Sequence, residues 1–124
     1  MIDFQNSALF KLTVVDNKTG SDLCSPILVD GEKIIASFKA IRDMVIFTDK
    51  RIISVNVQGL TGTKKDFTTL PYSKVQAFSV ETAGTFDLDC ELDLFFTGLG
   101  KVRFEFKGSF DIKTLSRLIG SYVL

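Results

Sequence analysis

No histidine occurs in these 124 residues. That absence removes Ser-His-Asp triads, Cys-His dyads and every zinc site built on an imidazole. Tryptophan is missing and proline occurs only twice. The two cysteines, Cys24 and Cys90, make one bridge at most, so no disulfide framework holds the chain. An excess of either charge is lacking too, because 15 Lys and Arg balance 15 Asp and Glu. A net charge of zero supplies no general field for polyanions and argues against nucleic acid as a partner. No run approaches the roughly 20 apolar residues of a membrane-spanning helix. Met1-Ile2-Asp3-Phe4-Gln5-Asn6 has neither the basic start nor the apolar stretch of a secretory signal. The expected location is the cytoplasm, where two lone cysteines stay reduced.

What is present suffices for one domain over residues 1–124, since 45% of the residues are hydrophobic. The polar run Asp16-Asn17-Lys18-Thr19-Gly20-Ser21-Asp22 is a soft boundary within an N-terminal extension, residues 1–28. Before it, Ser7-Ala8-Leu9-Phe10-Lys11-Leu12 reads either as a helical turn or two capped by Asn6, or as a strand. After it, Asp22 is placed to cap a short turn through Leu23 and Cys24, limited by Pro26. From Asp30-Gly31 onward the texture changes to short strands between turn residues. Strands are predicted at about 33–40, 43–49, 51–57, 64–70, 75–83, 86–96 and 101–108.

The clearest pattern is Phe86-Asp87-Leu88-Asp89-Cys90-Glu91-Leu92-Asp93-Leu94, apolar at every even position and acidic at every odd one. Lys101-Val102-Arg103-Phe104-Glu105-Phe106-Lys107 alternates likewise, with mainly basic outward residues. Directly opposed residues share a face, so Leu94–Val102, Leu92–Phe104 and Cys90–Phe106 are predicted inward pairs. The same register sets Asp93 against Arg103 and Asp89 against Lys107 on the outer face. The chain then closes with Ile112, Leu115, Leu118, Ile119, Tyr122 and Val123 at the spacing of an amphipathic helix over 111–124, capped by Asp111 or Ser109. Seven antiparallel strands over 29–108 and one terminal helix make a mainly β sandwich or partly open barrel, plugged at one end.

Motifs that carry chemistry elsewhere reduce to structural readings here. The acidic row Asp87, Asp89, Glu91, Asp93 fails the calcium-loop pattern, since the sixth and twelfth positions are Leu92 and Gly98. Gly59-Leu60-Thr61-Gly62-Thr63-Lys64-Lys65 is too short for a phosphate-binding loop and joins strand to strand. It reads as a hairpin connection whose glycines take positive φ, with a weak anion contact at Lys64 and Lys65 as the alternative. Thr48-Asp49-Lys50-Arg51 reads as a charged hairpin turn with Arg51 pairing Asp43 or Glu32, ahead of a peptide- or phosphate-binding corner. Cys90 faces inward as a small hydrophobe, and nothing basic near Cys24 in sequence depresses its pKa. Phe38, Phe47, Phe78, Phe104 and Phe106 fall at core spacing rather than on a stacking surface.

Asp30-Gly31-Glu32, Ile41-Arg42-Asp43, Phe47-Thr48-Asp49-Lys50-Arg51, Gly59-Leu60-Thr61-Gly62, Leu70-Pro71-Tyr72 and Val80-Glu81-Thr82-Ala83-Gly84 together resemble the bacterial pleckstrin-homology (PH-like) domain family over about residues 29–124. The resemblance implies a seven-stranded sandwich with a C-terminal capping helix, no enzymatic activity, no cofactor or metal, and assembly into closed homo-oligomeric rings. Eukaryotic PH domains often bind phosphoinositides through bases around the first two strands. Here that stretch is Lys39-Ala40-Ile41-Arg42-Asp43, two bases beside an acid, and the tryptophan common in the eukaryotic terminal helix is absent. The leading expectation is a non-enzymatic, self-associating interaction module or scaffold, its partners being itself and a further, unidentified protein. The alternative is weak peripheral binding to membrane lipid headgroups through Lys39, Arg42, Lys64, Lys65 and Lys101, multiplied by a ring.

Overall fold

The computed structural model describes residue 1, residues 9–108 and residues 110–124. Eight strands run in chain order as β1 (Leu9–Val15), β2 (Ile34–Lys39), β3 (Met44–Thr48), β4 (Arg51–Gln58), β5 (Lys64–Pro71), β6 (Val75–Glu81), β7 (Cys90–Phe96) and β8 (Gly100–Phe106). Helix α1 (Asn17–Cys24) follows β1, and helix α2 (Ile112–Val123) ends the chain. The strands form one sheet in the order β5-β4-β3-β2-β1-β8-β7-β6, not closed into a barrel. The mainly β, open architecture with a helical cap is thus the one the sequence indicates, and the strand count and connectivity are refined.

The seven predicted strands divide into a four-stranded meander, β2 to β5, and a three-stranded one, β6 to β8. β1 joins the two, pairing antiparallel with β2 (Val14 opposite Phe38) and parallel with β8 (Leu12 opposite Phe106). The strand alternative for Ser7–Leu12 therefore holds from Leu9 on, and Asn6 and Ser7 lie outside the described residues. The β1–β8 register slips between Leu9 and Leu12, where Lys11 takes a φ of 57°.

The polar run after β1 is a helix and not a boundary. Asp16, not Asp22, is the N-cap, its carboxylate accepting from Lys18 N at 2.8 Å. Pro26 lies in the 3-10 turn Ser25–Ile27 that follows. Periodicity fails to signal α1 because only Gly20 and Cys24 are buried along it. The helix covers the outer face of the four-stranded meander, so all five residues of β3 are buried. Val45 and Phe47 enter the main core, while Met44 and Ile46 pack with Cys24, Ile53 and Val55 under α1.

The β7–β8 hairpin has the predicted register, including Leu92 opposite Phe104 and Asp93 opposite Arg103. Phe86–Asp89, predicted as the first half of β7, is not strand. Pairing with β6 stops at Glu81–Glu91 and pairing with β8 at Cys90–Phe106, so earlier residues have no ladder on either side. Gly84 N instead donates to Asp87 O at 2.7 Å. Asp89 accordingly does not face Lys107 across a ladder; its Oδ1 accepts from Gly108 N at 3.1 Å. Helix α2 is capped by Asp111, which accepts from Thr114 N at 3.2 Å and Thr114 Oγ1 at 2.7 Å. Ser109, the other predicted cap, lies outside the described residues. Ile112, Leu115 and Ile119 are buried, and Tyr122 stacks on Tyr72 with ring centroids 5.5 Å apart.

Gly20 is the closest approach of α1 to the sheet. A Cβ there would overlap Ser37 Oγ and lie 3.2 Å from Ile46 Cγ1. Gly20→Ala is expected to lower stability by about 1–3 kcal/mol through overpacking, measured as a denaturant midpoint. Adding Ser37→Ala, which removes the overlapping oxygen, should restore part of that loss.

Candidate functional site

Three of the sequence motifs meet in one buried polar cluster. The Glu32 side chain is fully buried and the Arg51 side chain 15% exposed. Arg51 Nε donates to Glu32 Oε2 at 2.9 Å and Nη2 to Oε1 at 3.0 Å, a bidentate pair. Val29 N donates to Glu32 Oε1 at 3.0 Å, and Thr48 Oγ1 to Oε2 at 2.6 Å. The remaining guanidinium donors reach Ile27 O at 2.7 Å and Thr69 Oγ1 at 2.8 Å. Tyr72 Oη, from the turn that follows β5, donates to Thr48 O at 2.8 Å. Of the two acids predicted for Arg51, Glu32 is the partner; Asp43 accepts from Val57 N at 3.1 Å. In Thr48-Asp49-Lys50-Arg51 the Thr48, Asp49 and Arg51 side chains are thus bonded within the chain, while Lys50 is exposed.

Burial raises the Glu32 pKa, but the bonds from Arg51, Thr48 and Val29 N and the guanidinium charge outweigh it and hold the carboxyl below 4.5. Cys24 lies close enough for Arg51 to oppose its shift, a cation that its sequence neighbours do not reveal. Burial nevertheless dominates and pushes the thiol up to about 11. Both cysteines are buried and free.

The predicted basic residues divide. Lys39 ends β2, Arg42 lies in the β2–β3 turn, and Lys64 and Lys65 begin β5 opposite Gln58 and Val57. Arg42 Nη2 donates to Gly59 O at 2.6 Å and ties the β2–β3 turn to the β4–β5 loop. These four cations therefore occupy one end of the four-stranded meander. Lys101 lies opposite Phe95 on β8 and is not among them. Sequence reasoning missed the two aliphatic tips between the cations: Ile41 is 96% exposed and Leu60 fully exposed. Their signal was an aliphatic residue at the apex of an otherwise polar turn.

The acidic row is divided between Arg103, which takes two of the four acids, and backbone N–H groups, which meet Asp87 and Asp89. Arg103 holds Asp93 at 2.8 and 3.0 Å and Glu91 at 3.5 Å. Glu81, Glu91 and Glu105 stand opposite one another across β6, β7 and β8, like charges that the alternation alone did not expose. Burial, then Asp89, Glu91 and Asp87, push the Glu105 carboxyl above its ordinary value.

Arg51→Met leaves the Glu32 carboxylate buried without its cation and is expected to cost about 3–5 kcal/mol. Because Glu32 has a lowered folded-state pKa, the unfolded chain binds more protons on acidification. Its contribution is complete above the unfolded value and is lost as pH falls through the folded one. Denaturant titrations between pH 6 and about pH 3 should show the wild type losing stability through that window, and Glu32→Gln losing less.

The fold has counterparts among known proteins. The Bacterial PH domain model matches residues 3–123. Among solved structures, a DUF1696 family protein with a pleckstrin-homology domain from Shewanella loihica PV-4 superposes with a TM-score of 0.79 at 34% identity, covering 93% of this chain and 99% of that one. A pleckstrin homology domain from Shewanella amazonensis SB2B gives 0.66 at 37% identity, covering 96% and 93%. The Bacillus subtilis (strain 168) protein YjqA, itself uncharacterized, is 45% identical over 97 residues, 77% of this chain and 78% of its own length. With residues 3–123 matched by the family's model, this chain belongs to the bacterial PH domain family.

Proposed function

We propose that this protein is a non-enzymatic, self-associating scaffold, assembled head to tail from copies of itself and presenting repeated sites to a further protein. The observation that carries this reading is the pair of unlike sheet edges. Among the described residues β5 and β6 are the terminal strands, each with one side that no described strand pairs. β5 carries Lys64, Lys65 and Pro71, residues that guard an edge, whereas β6 (Val-Gln-Ala-Phe-Ser-Val-Glu) has one charge, Glu81. Pairing β6 of one copy with β5 of the next brings Glu81 within reach of Lys64 and Lys65. Unlike edges make the contact heterologous, which closes into a ring when the rotation permits. A non-enzymatic role is consistent with Glu32, the buried charged residue among those described, having both oxygens occupied by four donors.

Light scattering after size exclusion tests this directly. The wild type is expected to be oligomeric at micromolar concentration. Ala77→Lys with Ser79→Lys, both exposed on β6, should shift it toward monomer. A monomeric wild type removes the reading.

The exposed tips favour a second reading, a weak lipid-surface contact. Ile41 and Leu60 project between Lys39, Arg42, Lys64 and Lys65. Four cations at an anionic surface contribute roughly 1 kcal/mol each, which corresponds to about millimolar affinity for one copy. A ring would multiply it. Wild-type protein should sediment with phosphatidylserine vesicles at low salt and less at physiological salt. Ile41→Ser with Leu60→Ser should weaken it further, and equal sedimentation with neutral vesicles rules the contact out.

A further inference from the structure

The loop between β6 and β7, residues 82–89, is exposed from Thr82 to Leu88, and Phe86 within it is fully exposed. Two of its hydrogen bonds are internal: Gly84 N donates to Asp87 O, and Asp89 N to Asp87 Oδ1 at 3.0 Å. Among the described residues, its hydrogen bonds to the rest of the fold run through the half-buried side chain of Asp89. The carboxylate accepts from Gly108 N, and the carboxyl group is hydrogen-bonded to that of Glu105. The ladder brings the two acids together. Cys90 stands opposite Phe106 and is buried, so Asp89 and Glu91 lie on the outer face. Glu105 shares that face from β8, with Glu91 directly opposite and Asp89, one residue before the ladder begins, on the diagonal. A carboxylate only accepts, so a hydrogen bond between two carboxyl groups exists only while one of them holds a proton. Without that proton the same two groups are like charges in contact.

We propose that the Asp89–Glu105 pair is a proton-operated latch on the β6–β7 loop: the shared proton fastens the loop to β8, and its loss turns the bond into repulsion and loosens the loop. The latch acts within one chain and needs no second copy. The charges around Glu105 set its direction. Asp87 and Asp89 face it from the loop and Glu91 from β7, with Glu81 of β6 beyond Glu91. Arg103 and Lys107 share its face on β8, but Arg103 is engaged by Asp93 and Glu91. β1, on the other side of β8, carries Lys11. Burial, then Asp89, Glu91 and Asp87, hold the Glu105 carboxyl above 4.5. A raised folded-state value means that the folded chain binds the extra proton. The stabilisation is therefore complete below the unfolded value and is lost as pH rises through the folded one. Glu32 responds with the opposite sign, so the two groups are separable by pH.

Amide hydrogen exchange reads the latch at Gly108 N–H, whose acceptor is Asp89, with Ile53, buried on β4, as the internal reference. With rates corrected for the intrinsic effect of pH on exchange, wild-type protection of Gly108 relative to Ile53 is expected to fall severalfold from about pH 4.5 to about pH 8. Glu105→Gln supplies an amide donor to Asp89 at every pH. Asp89→Asn supplies one to Glu105 while its carbonyl still accepts from Gly108 N. Both variants are expected to keep Gly108 at the acid level of protection throughout, and Asp89→Ala to leave it unprotected throughout. Circular dichroism checks that each variant is folded. Wild-type protection that stays level across the range, or a fall that survives in either folded amide variant, overturns the latch.

Discussion

A carboxylate removed from water must be met by donors or it takes up a proton, and in this fold the Glu32 carboxylate is met by four. Arg51 and Thr48 come from the β3–β4 hairpin, and the remaining partners of the cluster from two further stretches of chain. The connection after α1 supplies Val29 N to the acid and Ile27 O to the guanidinium, and β5 supplies Thr69. Thr48 joins two parts of the cluster, its hydroxyl bonded to Glu32 and its carbonyl to Tyr72. Tyr72 in turn stacks on Tyr122 of the terminal helix. The position of α1, the hairpin corner and the docking of α2 therefore depend on one ion pair. Such a pair gains little net stability over an apolar replacement, but loss of one partner is costly, so it enforces a single arrangement.

That dependence gives the most recognisable motifs a structural role. Asp30-Gly31-Glu32, Phe47-Thr48-Asp49-Lys50-Arg51 and Leu70-Pro71-Tyr72 are far apart in sequence and converge on the same buried atoms. Glu32, Thr48, Arg51 and Tyr72 of these motifs bond to one another or to the surrounding backbone. The surface features available to partners lie elsewhere: two unlike sheet edges, and aliphatic loop tips among cations. Both are suited to association. Each is weak alone, and repetition in an assembly is what makes weak contacts effective.

The candidate site was legible only in part. Lys39, Arg42, Lys64 and Lys65 share one end because two hairpins place their turns together, and Arg42 ties those turns through Gly59 O. Lys101, chosen by residue type, sits in the other half of the sheet, since type carries no information about long-range placement. Ile41, Leu60 and Phe86 were passed over because whether an apolar residue is covered depends on chain that is distant in sequence.

Local periodicity reports burial faithfully where one side of an element meets the core and the other meets water. The β7–β8 register from Cys90 onward, the hairpins between β3 and β5, and the buried face of α2 satisfy that condition, and the sequence by itself determined them. Tertiary structure alone decided the rest. β1 became a strand because two meanders needed a bridge. α1 formed from a polar run because Gly20 lets its backbone approach Ser37. Phe86–Asp89 kept a strand's alternation without becoming one, because a ladder requires neighbours and both partner strands end beside Cys90.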